Sequence, residues 1–168
     1  MAILTLLAAV AAAFPAPITP AADGKAHCYS PDQARKVCAS LAVYSLTADG
    51  GVIGETTVAI ARNPTITMTT ASAMTVTNGR LCSVLLKENV AGAKFVIDGA
   101  DPDDARATQL RNAVANEFSP IIGHTVCVSY EPDGSGFTAH TAFDGLPRPS
   151  LDQRVIWVSP GDGWKVEP

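Results

Sequence analysis

Thr65–Val84 reads TITMTTASAMTVTNGRLCSV, and this stretch decides the fold class. From Thr65 to Thr77 the residues alternate. Ile66, Met68, Met74 and Val76 fall on one face, and Thr65, Thr67, Ala71, Ala73, Thr75 and Thr77 on the other. A period of two marks an extended strand. Asn78-Gly79 follows. A type I′ hairpin turn needs positive φ at both central positions, and Asn and Gly supply it at least strain. Arg80 to Leu86 is then the returning strand, with Val76 opposite Leu81 and Thr75 opposite Cys82. Leu81 and Leu85 on one face and Cys82, Val84 and Leu86 on the other predict a sheet covered on both sides.

Further hairpins extend from this one in both directions. Leu41 to Thr47 and Val52 to Ala61 flank Asp49-Gly50-Gly51, and Asn63-Pro64 ends the second strand. Lys94 to Ile97 is a short strand. His124 to Tyr130 and Phe137 to Phe143 flank a turn at 131–136. Placing Tyr130 opposite Phe137 gives a core face of Val126, Val128, Tyr130, Phe137, Ala139 and Phe143, with Cys127 opposite His140 on the other side. Arg154 to Val158 and Trp164 to Val166 read as a final hairpin around Pro160-Gly161-Asp162-Gly163.

Two helices are expected. Residues 103–118 place Ala107, Leu110, Val114 and Phe118 on one stripe, and Ser119-Pro120 stops the helix. Ser30-Pro31-Asp32-Gln33 resembles a capping box with proline in the first turn, which predicts a short helix over 31–39. Pro31–Arg35 (PDQAR) also matches Pro102–Arg106 (PDDAR), which suggests an internal repeat. The expected fold is α+β: antiparallel hairpins in one or two curved sheets, with the 103–118 helix packed on a face.

The first 22 residues carry no charge, and Ile3 to Phe14 is apolar. At about 12 residues this run is too short to span a bilayer, which takes about 20, and it suits the h-region of a signal peptide. Ala11-Ala12-Ala13 offers a cleavage site, and a later cut after Ala21 or Ala22 is an alternative. The expectation is a leader and Pro-rich spacer over 1–22, one domain over 23–168, and a periplasmic or secreted location without a membrane span. The chain has 168 residues, 47% hydrophobic and 17% charged, with a formal net charge of −4. That composition builds one core, and its acidic balance gives nucleic acid no electrostatic footprint. Four cysteines, Cys28, Cys38, Cys82 and Cys127, suggest two disulfides. Three pairings are possible. The expected one is Cys28–Cys38 with Cys82–Cys127, closing loops of about 10 and 45 residues.

Candidate chemistry is sparse. Cys127 opposite His140 could activate a thiol, although a disulfide sulfur is no nucleophile. His140 and Asp144 could form an acid–base pair, but four residues of extended strand separate them by about 13 Å. His124 and His140 point to opposite faces of their hairpin, and His27 falls in a solvated linker. Asp98, Asp101, Asp103 and Asp104 read as helix capping by Asp101 and dipole complementation, not as a calcium loop. Trp157 and Trp164 read as packing residues. No G-x-S-x-G, H-E-x-x-H or P-loop occurs, and no cofactor or metal is expected.

Arg154-Val155-Ile156-Trp157-Val158 followed by Gly163-Trp164-Lys165-Val166 resembles the closing hairpin of the ketosteroid-isomerase-like and polyketide-cyclase-like α+β group. The likeness spans about 15 residues of the chain. It implies a sheet curled around a helix with an apolar pocket, and transfers no catalytic residue. The function expected from the sequence is a non-enzymatic binding module for a small apolar ligand or a protein partner. The alternatives are a small hydrolase or isomerase using His140, Asp144 or Cys127, and a structural envelope protein.

Overall fold

The computed structural model describes residues 13–168. Its strands are β1 (Ala26–Tyr29), β2 (Val37–Cys38), β3 (Ser40–Leu46), β4 (Val52–Arg62), β5 (Thr65–Thr77), β6 (Arg80–Val84), β7 (Lys94–Ile97), β8 (Thr125–Asp133), β9 (Gly136–Phe143), β10 (Leu146–Pro147), β11 (Gln153–Val158) and β12 (Lys165–Val166). The helices among the described residues are α1 (Lys87–Ala91) and α2 (Asp104–Phe118), with three short 3₁₀ turns.

Eight strands close into an antiparallel barrel in the order β1-β3-β4-β5-β6-β8-β9-β11, and β11 returns to β1. The protein is therefore mostly β, and the α+β expectation is overturned. The physical reason is how the common apolar face is buried. Strands that bend into a closed cylinder bury that face against one another, so no helix is needed to cover it. Closure depends on β11 pairing with both β9 and β1, as in His27 opposite Trp157.

The hairpin that opens the sequence reading has the register expected of it. Val76 lies opposite Leu81 and Thr75 opposite Cys82, and Asn78 and Gly79 take φ of 52° and 72°. Its outer side differs from expectation: β6 stops at Val84, and Val84 and Leu86 are exposed. β5 has 13 residues, about 43 Å of chain, and outruns the barrel. Its far end, Ile66 to Thr69, pairs with β7 instead of β6. The Leu110, Val114 and Phe118 side chains of α2 pack there against Ile66, Met68 and Phe95, at the rim. A bulge between Ala59 and Ala61 leaves Ile60 unpaired and half-exposed on β4.

Three local expectations are also corrected. Residues 31–39 are not helical. Asp32 accepts from the backbone amides of Ala34 and Arg35, and Asp32 and Val37 exchange backbone hydrogen bonds across a tight loop. A helix over those positions would be about 13 Å long. The Cys28–Cys38 disulfide instead requires a Cα separation of 5.3 Å, and the same Ser-Pro-Asp signal serves as turn chemistry. The two PDxAR segments thus have different structures, one a turn and one the start of α2. Arg154–Val158 and Trp164–Val166 do not pair with each other. β12 runs parallel to β2, with Lys165 opposite Val37, and Trp164 covers the outer face of β1, β3 and β11.

The barrel is closed at one end by the chain that precedes β1. Ile18 is 0% exposed and packs with Val52 and Leu81, and Phe14 joins the same cluster. The packed unit therefore takes in the stretch read from sequence as a spacer. Residues 1–12 of the expected leader lie outside the described residues.

Candidate functional site

The lumen is built by strand alternation. On β1, Ala26 and Cys28 face outward into a cluster with Cys38, Ile156 and Val158, so His27 and Tyr29 face inward. Tyr44 comes from β3, Tyr130 from β8 and Trp157 from β11. His27 is 1% exposed. Its ring lies 3.7 Å from that of Trp157 and 4.7 Å from that of Tyr130, centroid to centroid. The Tyr44 ring meets it edge-on at 5.6 Å.

Two hydrogen bonds join polar atoms of this cluster. His27 Nδ1 and the Tyr44 hydroxyl are 2.8 Å apart, and the Tyr29 and Tyr130 hydroxyls 2.7 Å apart. Burial pushes the His27 imidazole down to about 3, because desolvation penalises the cation and no carboxylate offsets it. Burial likewise raises the Tyr29, Tyr44 and Tyr130 phenols above their ordinary range. The cluster is a neutral set of hydrogen-bonding groups across the physiological range.

A cavity of about 190 Å³ adjoins these phenols. Met74, Leu81, Val126 and Val128 form its apolar wall, and Ser40, Thr56, Thr141 and Gln153 add hydroxyls and an amide. None of its lining side chains is charged. Ser40 and Gln153 lie at the opposite ends of their strands from Leu46 and Trp157, which pack on the Ile18 side. One end of the lumen is thus plugged with apolar side chains and the other is lined with small polar ones. Gly54 faces inward opposite Tyr44. A Cβ there would come within 2.6 Å of the Met74 sulfur, so glycine leaves the space that the thioether fills.

The residues singled out from sequence lie elsewhere. Cys127 is bonded to Cys82, directly opposite it on β6, and no free cysteine remains among the described residues. Cys127 faces Ala142, and His140 faces Ser129, because β8 and β9 pair two residues out of the expected register. His140 sits on the barrel exterior, with Nδ1 2.7 Å from Asp152 and Nε2 3.3 Å from Glu131. Asp144 pairs with His124 and accepts the Thr125 amide at 2.9 Å. His140, Asp144 and Cys127 therefore have three separate sets of partners and do not converge. Asp103, not Asp101, caps α2, accepting the Arg106 amide at 2.7 Å. Among the described residues no group of three or more His, Cys, Asp or Glu is placed to hold a metal ion.

His27 is read from sequence as part of a solvated linker, which its place in β1 and its 1% exposure overturn. Tyr130 is read as part of a core face, and none of the lumen residues His27, Tyr29, Tyr44 and Tyr130 is marked as a site residue. One signal was present. His27 and Tyr29 flank Cys28 at a spacing of two, so a disulfide on one face of that segment puts both aromatic rings on the other.

No protein family, curated protein or solved structure matches the chain.

Proposed function

We propose that this protein is a non-enzymatic binding module whose barrel lumen takes one small neutral molecule, apolar over most of its surface and carrying an oxygen that hydrogen-bonds to the tyrosine cluster. The observation that carries this reading is an uncharged cavity of about 190 Å³ with phenol hydroxyls on one wall and aliphatic side chains on another. An eight-stranded barrel has an interior of the size that holds one small ligand. This volume is close to that of an engineered cavity of about 150 Å³ that binds benzene, so a single-ring molecule fits. A carboxylate or ammonium would lose hydration there with no counter-charge, which selects against ions.

Catalysis is the weaker reading because the polar groups are poorly matched to proton transfer. Efficient acid–base residues have pKa values near the working pH. Burial takes His27 and the phenols away from it in opposite directions. Two disulfides are compatible with an oxidising compartment, and we place the protein in the periplasm or outside the cell.

Trp157 beside the site supplies the test. Acetophenone, p-cresol and benzoate are titrated against the protein while Trp emission and thermal midpoint are followed. The neutral pair is expected to change both, benzoate neither, and the Tyr29→Phe/Tyr130→Phe double variant to weaken the acetophenone response. Equal responses to benzoate and acetophenone, or none to either neutral compound, would contradict the proposal.

A further inference from the structure

A second cavity lies outside the barrel, between the two helices. Thr108, Arg111, Asn112 and Ala115 lie on one face of α2 at helical spacing, and Ser119 follows at its C-terminal cap. They confront Lys87, Val90 and Ala91 of α1, and Ile122 also lines the groove. Its volume is about 360 Å³, within the common range for small-molecule sites of about 300–1,000 Å³. Val90 is buried at its floor. The Arg111 Nε donates to the Ala93 carbonyl at 3.3 Å, which ties α2 to the chain after α1.

The groove is cationic where the lumen is uncharged. Both charged side chains lining the groove, Lys87 and Arg111, are cations, and no carboxylate lines it. Neither takes part in any ion pair among the described residues. An apolar floor flanked by two cations with no carboxylate partner among the described residues matches a molecule with an apolar body and one anionic head.

We propose that the α1–α2 groove is a second binding site, specific for an aliphatic or aryl carboxylate. The aliphatic part lies over Val90, Ala91 and Ala115, and Arg111 and Lys87 attract the carboxylate. This proposal is independent of the lumen reading, because the two sites share no lining residue and prefer ligands of different charge.

Octanoate is the probe and octanol its neutral control, followed through backbone amide NMR shifts of the whole chain. Octanoate is expected to shift Val90, Ala91, Thr108 and Ala115 saturably and to bind at least about fivefold tighter than octanol at those amides. Arg111→Gln with Lys87→Gln is expected to weaken octanoate at least about tenfold, and Arg111→Lys to retain most of the affinity. Unchanged barrel resonances establish that the variants fold. Shifts confined to lumen residues, equal binding of octanol, or full affinity in the double Gln variant would overturn the site. Octanoate shifts at lumen residues would also count against the exclusion of anions from the barrel, whereas the other outcomes leave acetophenone binding untouched.

Discussion

His27 shows how one residue links stability to pH. Its folded-state pKa lies near 3 against an ordinary 6.5, so the unfolded chain takes up a proton that the folded chain refuses. The stabilising effect of its neutrality is complete above pH 6.5 and is lost as pH falls toward 3. The denaturation midpoint is expected to drop across that window with a limiting slope of about 1.4 kcal/mol per pH unit from this group. The groups packed around it, Tyr29, Tyr44, Tyr130 and Trp157, carry no charge there, and His27→Gln is expected to flatten the slope. A midpoint independent of pH between 6 and 3.5 in the native protein would show that His27 is solvated. His140 behaves oppositely. Its hydrogen bond to Asp152 raises its pKa, so its contribution is present below pH 6.5 and fades as pH rises through the folded value. Its exposure keeps that effect small.

The phenol pair gives a second expectation at this scale. Tyr29→Phe and Tyr130→Phe each remove one side of the 2.7 Å hydrogen bond and are expected to destabilise by about 1 kcal/mol. The double variant is expected to lose less than the sum, because the second substitution removes an already unpaired hydroxyl. Strict additivity in urea denaturation would mean the two hydroxyls do not interact.

At the scale of elements, close backbone approach limits what β9 can accept. A Cβ on Gly136 would lie 2.6 Å from the Val155 carbonyl oxygen of β11. Gly136→Ala is expected to cost about 1–3 kcal/mol through strain at the seam that helps close the barrel. An unchanged thermal midpoint would contradict that packing.

Elements also differ in how legible they were. The β5–β6 register could be read because a two-residue Asn-Gly turn admits one alignment and long alternation supports it. The β8–β9 hairpin was harder. Pro132 and Asp133 look like turn residues, yet they belong to β8, and the turn narrows to Gly134-Ser135 between the paired Asp133 and Gly136. That moved the register by two. The core face survived because side chains repeat every two residues, but the Cys127–His140 pairing, and the chemistry attached to it, did not. The short helix over 31–39 failed for another reason: a Ser-Pro-Asp start serves a turn as readily as a helix, and the disulfide to Cys38 decides between them.

The whole molecule depends on contacts that local pattern cannot reveal. Closure joins β1 to β11, and nothing in the His27 or Trp157 segment alone names the other as partner. Most of the lumen was illegible for the same reason, since Tyr29 of β1 and Tyr44 of β3 meet Tyr130 of β8, which lies 101 residues after Tyr29. Two expectations belong to this scale. Ile18→Ala opens the plugged end and is expected to cost about 2–5 kcal/mol; a negligible loss in calorimetry would place that segment outside the core. Replacing Cys82 and Cys127 by Ala and Val frees a span of 45 residues and is expected to remove about 4 kcal/mol by chain entropy, lowering the urea midpoint. An unaltered midpoint would mean the β6–β8 bridge constrains nothing.

The most direct measurement of the central claim is isotope-filtered NMR of acetophenone mixed with labelled protein. Intermolecular contacts from its protons to the methyl groups of Leu81, Met74, Val126 and Val128 are the result expected of a ligand inside the barrel. Contacts confined to the exposed Leu86, Leu146 and Leu151, with none to those four, would contradict it.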